Sequence, residues 1–199
     1  SGKLYLLRNK DQANEELIAL SLADGRQIWA TRVGSVGENR GPQYPGARST
    51  PTVDGTRVYA LGSDGDLACV EADSGEIVWA RNLRTDFDGK PGAWAYAESP
   101  LIDGDVLLCS PGGANATVVA LNKQDGSVIW KSTLADQDNA SFSSPIATTI
   151  GGVKQYVLYL SKGVVGLSAD DGRLLWRYSN TADKDANIQT PVASEGRVY

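Results

Sequence analysis

The chain has 199 residues, 41% of them apolar and 22% charged, enough for one or two packed cores and too balanced for a disordered tail. A net charge of −5 and a pI near 4.8 argue against nucleic acid and anionic membranes as partners, since both need clustered Lys and Arg. With no histidine in the chain, His-based triads, the commonest zinc ligand and c-type haem attachment are excluded. Two cysteines cannot form a disulfide framework, and Cys69 and Cys109 read as small buried fillers. No apolar run approaches the roughly 20 residues of a spanning helix, so membrane insertion is not expected. There is no methionine and no visible targeting segment, and SGKLYLL does not read as the start of a natural reading frame.

The predicted elements repeat along the chain. Residues 1–34 read as a partial unit of strands that ends at DGRQIW, with Gly25 in a tight turn and Trp29 four residues later. Residues 47–84 begin at Thr50-Pro51 with PTVDG, continue through RVYALGSDG and DLACVEADSG, and end on Gly75 and Trp79. Residues 97–134 do the same from Ser99-Pro100 through PLIDG, DVLLCSPGG and TVVALNKQDG to Gly126 and Trp130. Residues 142–179 follow from Ser144-Pro145 through PIATTIGG, KQYVLYLSKG and VVGLSADDG to Gly172 and Trp176. A last partial unit, 188–199, restarts at Thr190-Pro191 and reaches GRVY.

A period of about 48 residues suits a propeller blade or a helical array. The segments are short, alternating and β-branched, with Gly, Asp, Ser and Asn at the joins, and no 3.6-residue period is sustained; the expectation is four strands per unit. The predicted fold is therefore all-β, a β-propeller of four-stranded antiparallel blades with about four blades present. A single blade cannot bury both of its faces, so the recurring Trp reads as a wedge between neighbouring blades.

The windows ALSLADGRQIW, CVEADSGEIVW, ALNKQDGSVIW and GLSADDGRLLW resemble the tryptophan-docking repeat of the quinoprotein, or pyrroloquinoline quinone (PQQ)-like, β-propeller superfamily. The small opening residue, the seventh-position Gly and the eleventh-position Trp match, while Ser21, Glu71, Asn122 and Ser168 replace the family's third-position Asp. Longer stretches are similar to secreted PQQ-like propellers of planctomycetes and to outer-membrane-assembly propellers. The resemblance implies an eight-bladed ring, of which this chain would be about half, in the periplasm or outside the cell. Alternatively, PVASEG closes onto the N-terminal strands as a four-bladed ring.

Ligands are expected at the variable loops before each Ser/Thr-Pro. There Trp94, Tyr96 and Glu98 form a candidate stacking and hydrogen-bonding group. Arg48, with Arg40 and Tyr44, is a candidate anion site, and Asn187 and Gln189 lie in the last such loop. Asp183-x-Asp185-x-Asn187 resembles the start of a calcium loop, but Ile188 and Ser194 stand where Gly and Glu are required. Asp86-Phe87-Asp88-Gly89 is a similar fragment, and Asn115 and Asn139 head sequon triplets. No vicinal cysteines or haem motif occur. The expected function is a noncatalytic binding or scaffold module with a protein or glycan partner, no cofactor and self-association of an exposed half-ring. The alternative is an alcohol or sugar dehydrogenase dependent on PQQ and calcium.

Overall fold

The computed structural model describes residues 2–38, 46–135 and 138–199; Arg40 and Tyr44 lie outside them. Seventeen strands are arranged among the described residues as sequential antiparallel meanders. The first sheet has three strands, β1 (Lys3–Asn9), β2 (Asn14–Ser21) and β3 (Gln27–Ser35). Three four-stranded sheets follow. They are β4 (Thr52–Asp54), β5 (Arg57–Leu61), β6 (Asp66–Glu71) and β7 (Ile77–Asn82); then β8 (Leu101–Asp103), β9 (Val106–Cys109), β10 (Val118–Asn122) and β11 (Val128–Ser132); then β12 (Ile146–Ile150), β13 (Val153–Leu160), β14 (Gly163–Ser168) and β15 (Leu174–Tyr178). A last pair is formed by β16 (Ala193–Ser194) and β17 (Arg197–Val198). β16 pairs with β17, and β1 with β2, so the four-bladed closure onto the N-terminal strands is not formed.

The hairpin before each outer strand is set locally. The N–H groups of Gly25, Gly75, Gly126 and Gly172 donate to the carbonyls of Ser21, Glu71, Asn122 and Ser168 at 2.8–2.9 Å. The preceding Asp24, Ser74, Asp125 and Asp171 each accept the N–H two residues on, the usual use of short polar side chains in turns. The four glycines hold φ between 71° and 77°, a conformation that costs other residues more than Gly. After the turn, each Trp stands opposite a small residue of the neighbouring strand: Ala19, Cys69, Ala120 and Gly166. A register shift follows at that same step in all four hairpins.

The core consists of layers between sheets. Leu17 and Val33 pack on Val58, Ala60, Ala68 and Val70. Tyr59, Leu67, Cys69 and Trp79 pack on Leu107, Cys109, Val119 and Leu121. Leu108, Val118, Ala120 and Trp130 pack on Tyr156, Leu158, Val165 and Leu167. Central strands such as β10 are buried on both faces, which is why they read as unbroken apolar runs. Both cysteines are free and fully buried, and burial pushes both thiols up.

The three four-stranded sheets are joined to one another at both edges. At the outer edge, the Trp29, Trp79 and Trp130 indoles donate to the Ala72, Lys123 and Ala169 carbonyls of the next sheet, at 3.2, 2.9 and 3.2 Å. The rings lie on the next glycine turn: a Cβ at Gly75, Gly126 or Gly172 would sit 2.5–2.8 Å from them. Trp176 instead donates to Gln155 of its own sheet, at 2.6 Å, and among the described residues nothing lies within 4 Å of a Cβ at Gly25.

At the inner edge, the Ser/Thr-Pro marker forms a ladder. Thr50 N–H donates to Ser99 Oγ at 2.9 Å, Ser99 N–H to Ser144 Oγ at 2.9 Å, and Ser144 N–H to Thr190 Oγ1 at 3.4 Å. Ser99→Ala removes one rung and is expected to lower stability by about 0.5–1.5 kcal/mol, read from the urea midpoint. A change confined to the slope of the unfolding curve would contradict this.

Candidate functional site

The segments that join an outer strand to the next inner strand gather on one face. The segment after β7 begins with a helix absent from the sequence-based expectation, α1 (Leu83–Phe87). Asn82 caps it by accepting the Arg84 and Thr85 N–H groups at 2.9 and 3.1 Å, and Asp88 ends it at φ 54°. Leu83 and Phe87 are buried and pin it to the sheets. Asp86 and Asp88 are thus parts of a capped helical turn.

The structure links three of the expected residues in a chain across successive loops. Arg48 Nη1 donates to the Trp94 carbonyl at 3.2 Å. The Trp94 ring stacks on Phe142, with centroids 5.0 Å apart and planes 30° from parallel. Phe142 N–H and Ser141 Oγ donate to the Asn187 carbonyl at 3.2 and 2.6 Å, while Asn187 Nδ2 donates back to Leu160 O at 2.9 Å. Gln189 is exposed and lies beyond this chain of contacts.

Tyr96 and Glu98 point the other way. Tyr96 is buried, with its hydroxyl on Pro111 O at 2.8 Å, and Glu98 Oε1 accepts the Ser110 N–H at 2.5 Å at 2% exposure. Ala95, at φ 67°, turns the chain between them and Trp94, so the three neighbours in sequence do not form one surface group.

Two clefts share Gly92 and Ala93 as lining. The larger, about 490 Å³, is edged by Glu38, Asp64, Arg84 and Lys90; the smaller, about 200 Å³, by Phe142, Ser141 and Asp183–Asn187. A Cβ at Gly92 would lie 2.6 Å from Phe142, so the aromatic contact depends on that glycine. Phe142, Arg84 and Lys90 had no sequence signal beyond their place in variable loops.

Beneath the loops, three buried carboxylates hold the ends of the second strands. Glu15 accepts the Ser63 N–H and hydroxyl at 2.8 and 2.5 Å. Glu98 accepts from Ser110. Asp138 accepts from Ser161 Oγ, Lys162 N–H and Arg177 at 2.9, 2.8 and 2.7 Å. Desolvation raises the Glu15 carboxyl, and pushes Glu98 up to about 7.

These bonds bear on the quinone and calcium alternative. Glu98 is enclosed, Asn187 donates to main-chain carbonyls, and Asp183 Oδ1 accepts the Asp185 N–H at 2.7 Å. Among the described residues no three Cys, Asp or Glu side chains converge as a metal site, and the cysteines stand on separate strands. Among the described residues these groups are thus engaged by the scaffold and not gathered around a common centre.

Stacked meander sheets, joined by docked tryptophans and closed at their inner edge by a hydroxyl ladder, define a PQQ-type β-propeller. The chain belongs to the family described as outer membrane protein assembly factor BamB, whose model matches residues 13–199. BamB of Yersinia pestis is 29% identical over 126 residues, 61% of this chain and 29% of that protein. A quinoprotein ethanol dehydrogenase of Pseudomonas aeruginosa is 32% identical over 105 residues, 53% of this chain and 16% of that protein. The crystal structure of BamB from Moraxella catarrhalis superposes with a TM-score of 0.60 at 15% identity, over 96% of this chain and 55% of that one. Quinohemoprotein alcohol dehydrogenase from Comamonas testosteroni gives 0.63 at 15%, over 99% and 37%. The chain thus spans about half of the solved BamB and less of the other relatives.

Proposed function

We propose that this chain is a noncatalytic propeller module that works outside the cytoplasm and presents its loop face to a protein partner. The observation that carries the reading is the direction of the polar groups: Glu15, Glu98 and Asp138 are occupied by the scaffold. The loop face offers instead contact surfaces, the Trp94–Phe142 stack and the Arg84 and Lys90 edge. Membership of an outer-membrane-assembly family supports a protein partner and an extracytoplasmic setting.

The test is site-specific photocrosslinking in cells that express the full-length protein. A crosslinker at Lys90 is expected to trap a defined protein, and one at Val128 on the outer strand is not. A trapped glycan, or equal labelling from both positions, would overturn the reading. So would saturable, calcium-dependent PQQ binding in calorimetry, which would favour the dehydrogenase.

Self-association belongs to the same proposal. Gly75, Gly126 and Gly172 each carry an indole, whereas Gly25 has open space above it and Trp176 bonds within its own sheet. Two copies of the 199-residue chain are expected to pair through these surfaces in sedimentation velocity, and Trp176→Ala to weaken the pairing. A monomer at all concentrations would remove this part of the proposal.

A further inference from the structure

Residues 95–98 form a strap across the junction of two sheets. On one side, Tyr96 N–H donates to Ser63 O at 3.1 Å in the β5–β6 turn. On the other, the Tyr96 hydroxyl reaches Pro111 O and Glu98 reaches the Ser110 N–H, both after β9. The strap starts from the positive φ of Ala95, which also lines the larger cleft, and it continues into Ser99 of the inner ladder. Trp94, with its stack on Phe142, precedes it directly.

The strap is fastened by a carboxyl group in an unusual setting. Glu98 is buried and is held by Ser110 through both its N–H, at 2.5 Å, and its side chain, and among the described residues no cation contributes to its electrostatics. The ionisable groups facing this site are Tyr96 of the strap and Cys109 of β9, both raised by burial; Arg84 of α1 and Asp64 of the β5–β6 turn act on Tyr96 from the far side. A protonated Glu98 is neutral, and the Ser110 hydroxyl, donor and acceptor at once, can take its O–H. An ionised Glu98 has only the Ser110 N–H and hydroxyl in place of its hydration shell, and for a fully buried charge burial outweighs them.

We propose that the 95–98 strap is a pH-sensitive clasp, closed while Glu98 carries a proton and loosened when it ionises, so that Trp94 and the cleft wall are mobilised together. The sign follows from linkage. The folded-state carboxyl, pushed up to about 7, binds a proton more tightly than it does in the open strap, so closure is favoured below the ordinary carboxylate range and is lost as pH rises through about 7. Glu15, which is also raised and neighbours Asp66 and Arg48, holds Ser63 on the opposite side and is the control for specificity.

The test is amide hydrogen exchange of the full chain between pH 5.5 and 8.5, corrected for intrinsic exchange, with Trp94 fluorescence taken as the difference from Trp94→Phe. The amides of Tyr96 and Ser110 are expected to lose protection progressively as pH rises toward about 7 and to level off above it, and β10 amides to keep theirs. In Glu98→Gln the strap is expected to show no pH transition, and Glu15→Gln is expected to retain it. An unchanged transition in Glu98→Gln would overturn the proposal. If that variant does not fold, constant Tyr96 and Ser110 protection in the wild type overturns it equally.

Discussion

Trp130→Ala is expected to lower the unfolding free energy by about 3–5 kcal/mol, the range for deleting a buried large aromatic. The ring is 9% exposed and lies against Gly172 and beside Tyr156, with centroids 6.2 Å apart. Its N–H satisfies the Ala169 carbonyl. Deletion therefore opens a cavity between two sheets and removes a hydrogen bond that joins them. Trp176→Ala is the internal comparison, because that indole is half-buried and bonds within its own sheet. Its loss in stability should be smaller in the monomer. Urea unfolding followed by far-ultraviolet circular dichroism measures both, and equal losses would contradict a wedge between sheets.

Gly126→Ala is expected to cost about 2–5 kcal/mol, the sum of two separable effects. Placing a side chain at φ 71° costs about 1–2 kcal/mol. The new Cβ also meets the Trp79 ring at 2.8 Å, and overpacking of that kind adds about 1–3 kcal/mol. Gly25→Ala separates them: its φ is also 71°, but no atom lies within 4 Å of its Cβ position. It should show the backbone cost alone in thermal or urea unfolding. If the two variants are destabilised alike, the glycine turn is conserved along the chain for its backbone and not for its contact with the indole.

The parts of this fold that were legible in the sequence are those set by local chemistry. The Asp/Ser–Gly turn fixes a hairpin within six residues, and its Trp is placed by the same hairpin, so spacing alone exposed the repeat. The Ser/Thr-Pro marker was legible as a spacing but not as a ladder, because each rung joins residues 45–49 positions apart. Helix α1 was missed since five residues carry no period and burial of Leu83 and Phe87 holds them. Trp94, Tyr96 and Glu98 looked like one group because they alternate in sequence. Ala95 interrupts that alternation with a left-handed residue, which no pattern of side-chain types announces. Phe142, an isolated aromatic in a polar loop, becomes recognisable only when Trp94 is laid on it.

The hydroxyl ladder and the indole docks also determine how the sheets can move. In every four-stranded sheet the first and last strands are opposite edges, three strand spacings apart, or about 14 Å. A sheet attached to its neighbour at one edge could swing about that edge like a door. Attachment at both edges removes the swing and leaves only a shear that must break several bonds at once. The loops above therefore ride on a stiff plate, and the clefts near Trp94 keep their spacing unless their own segment lets go.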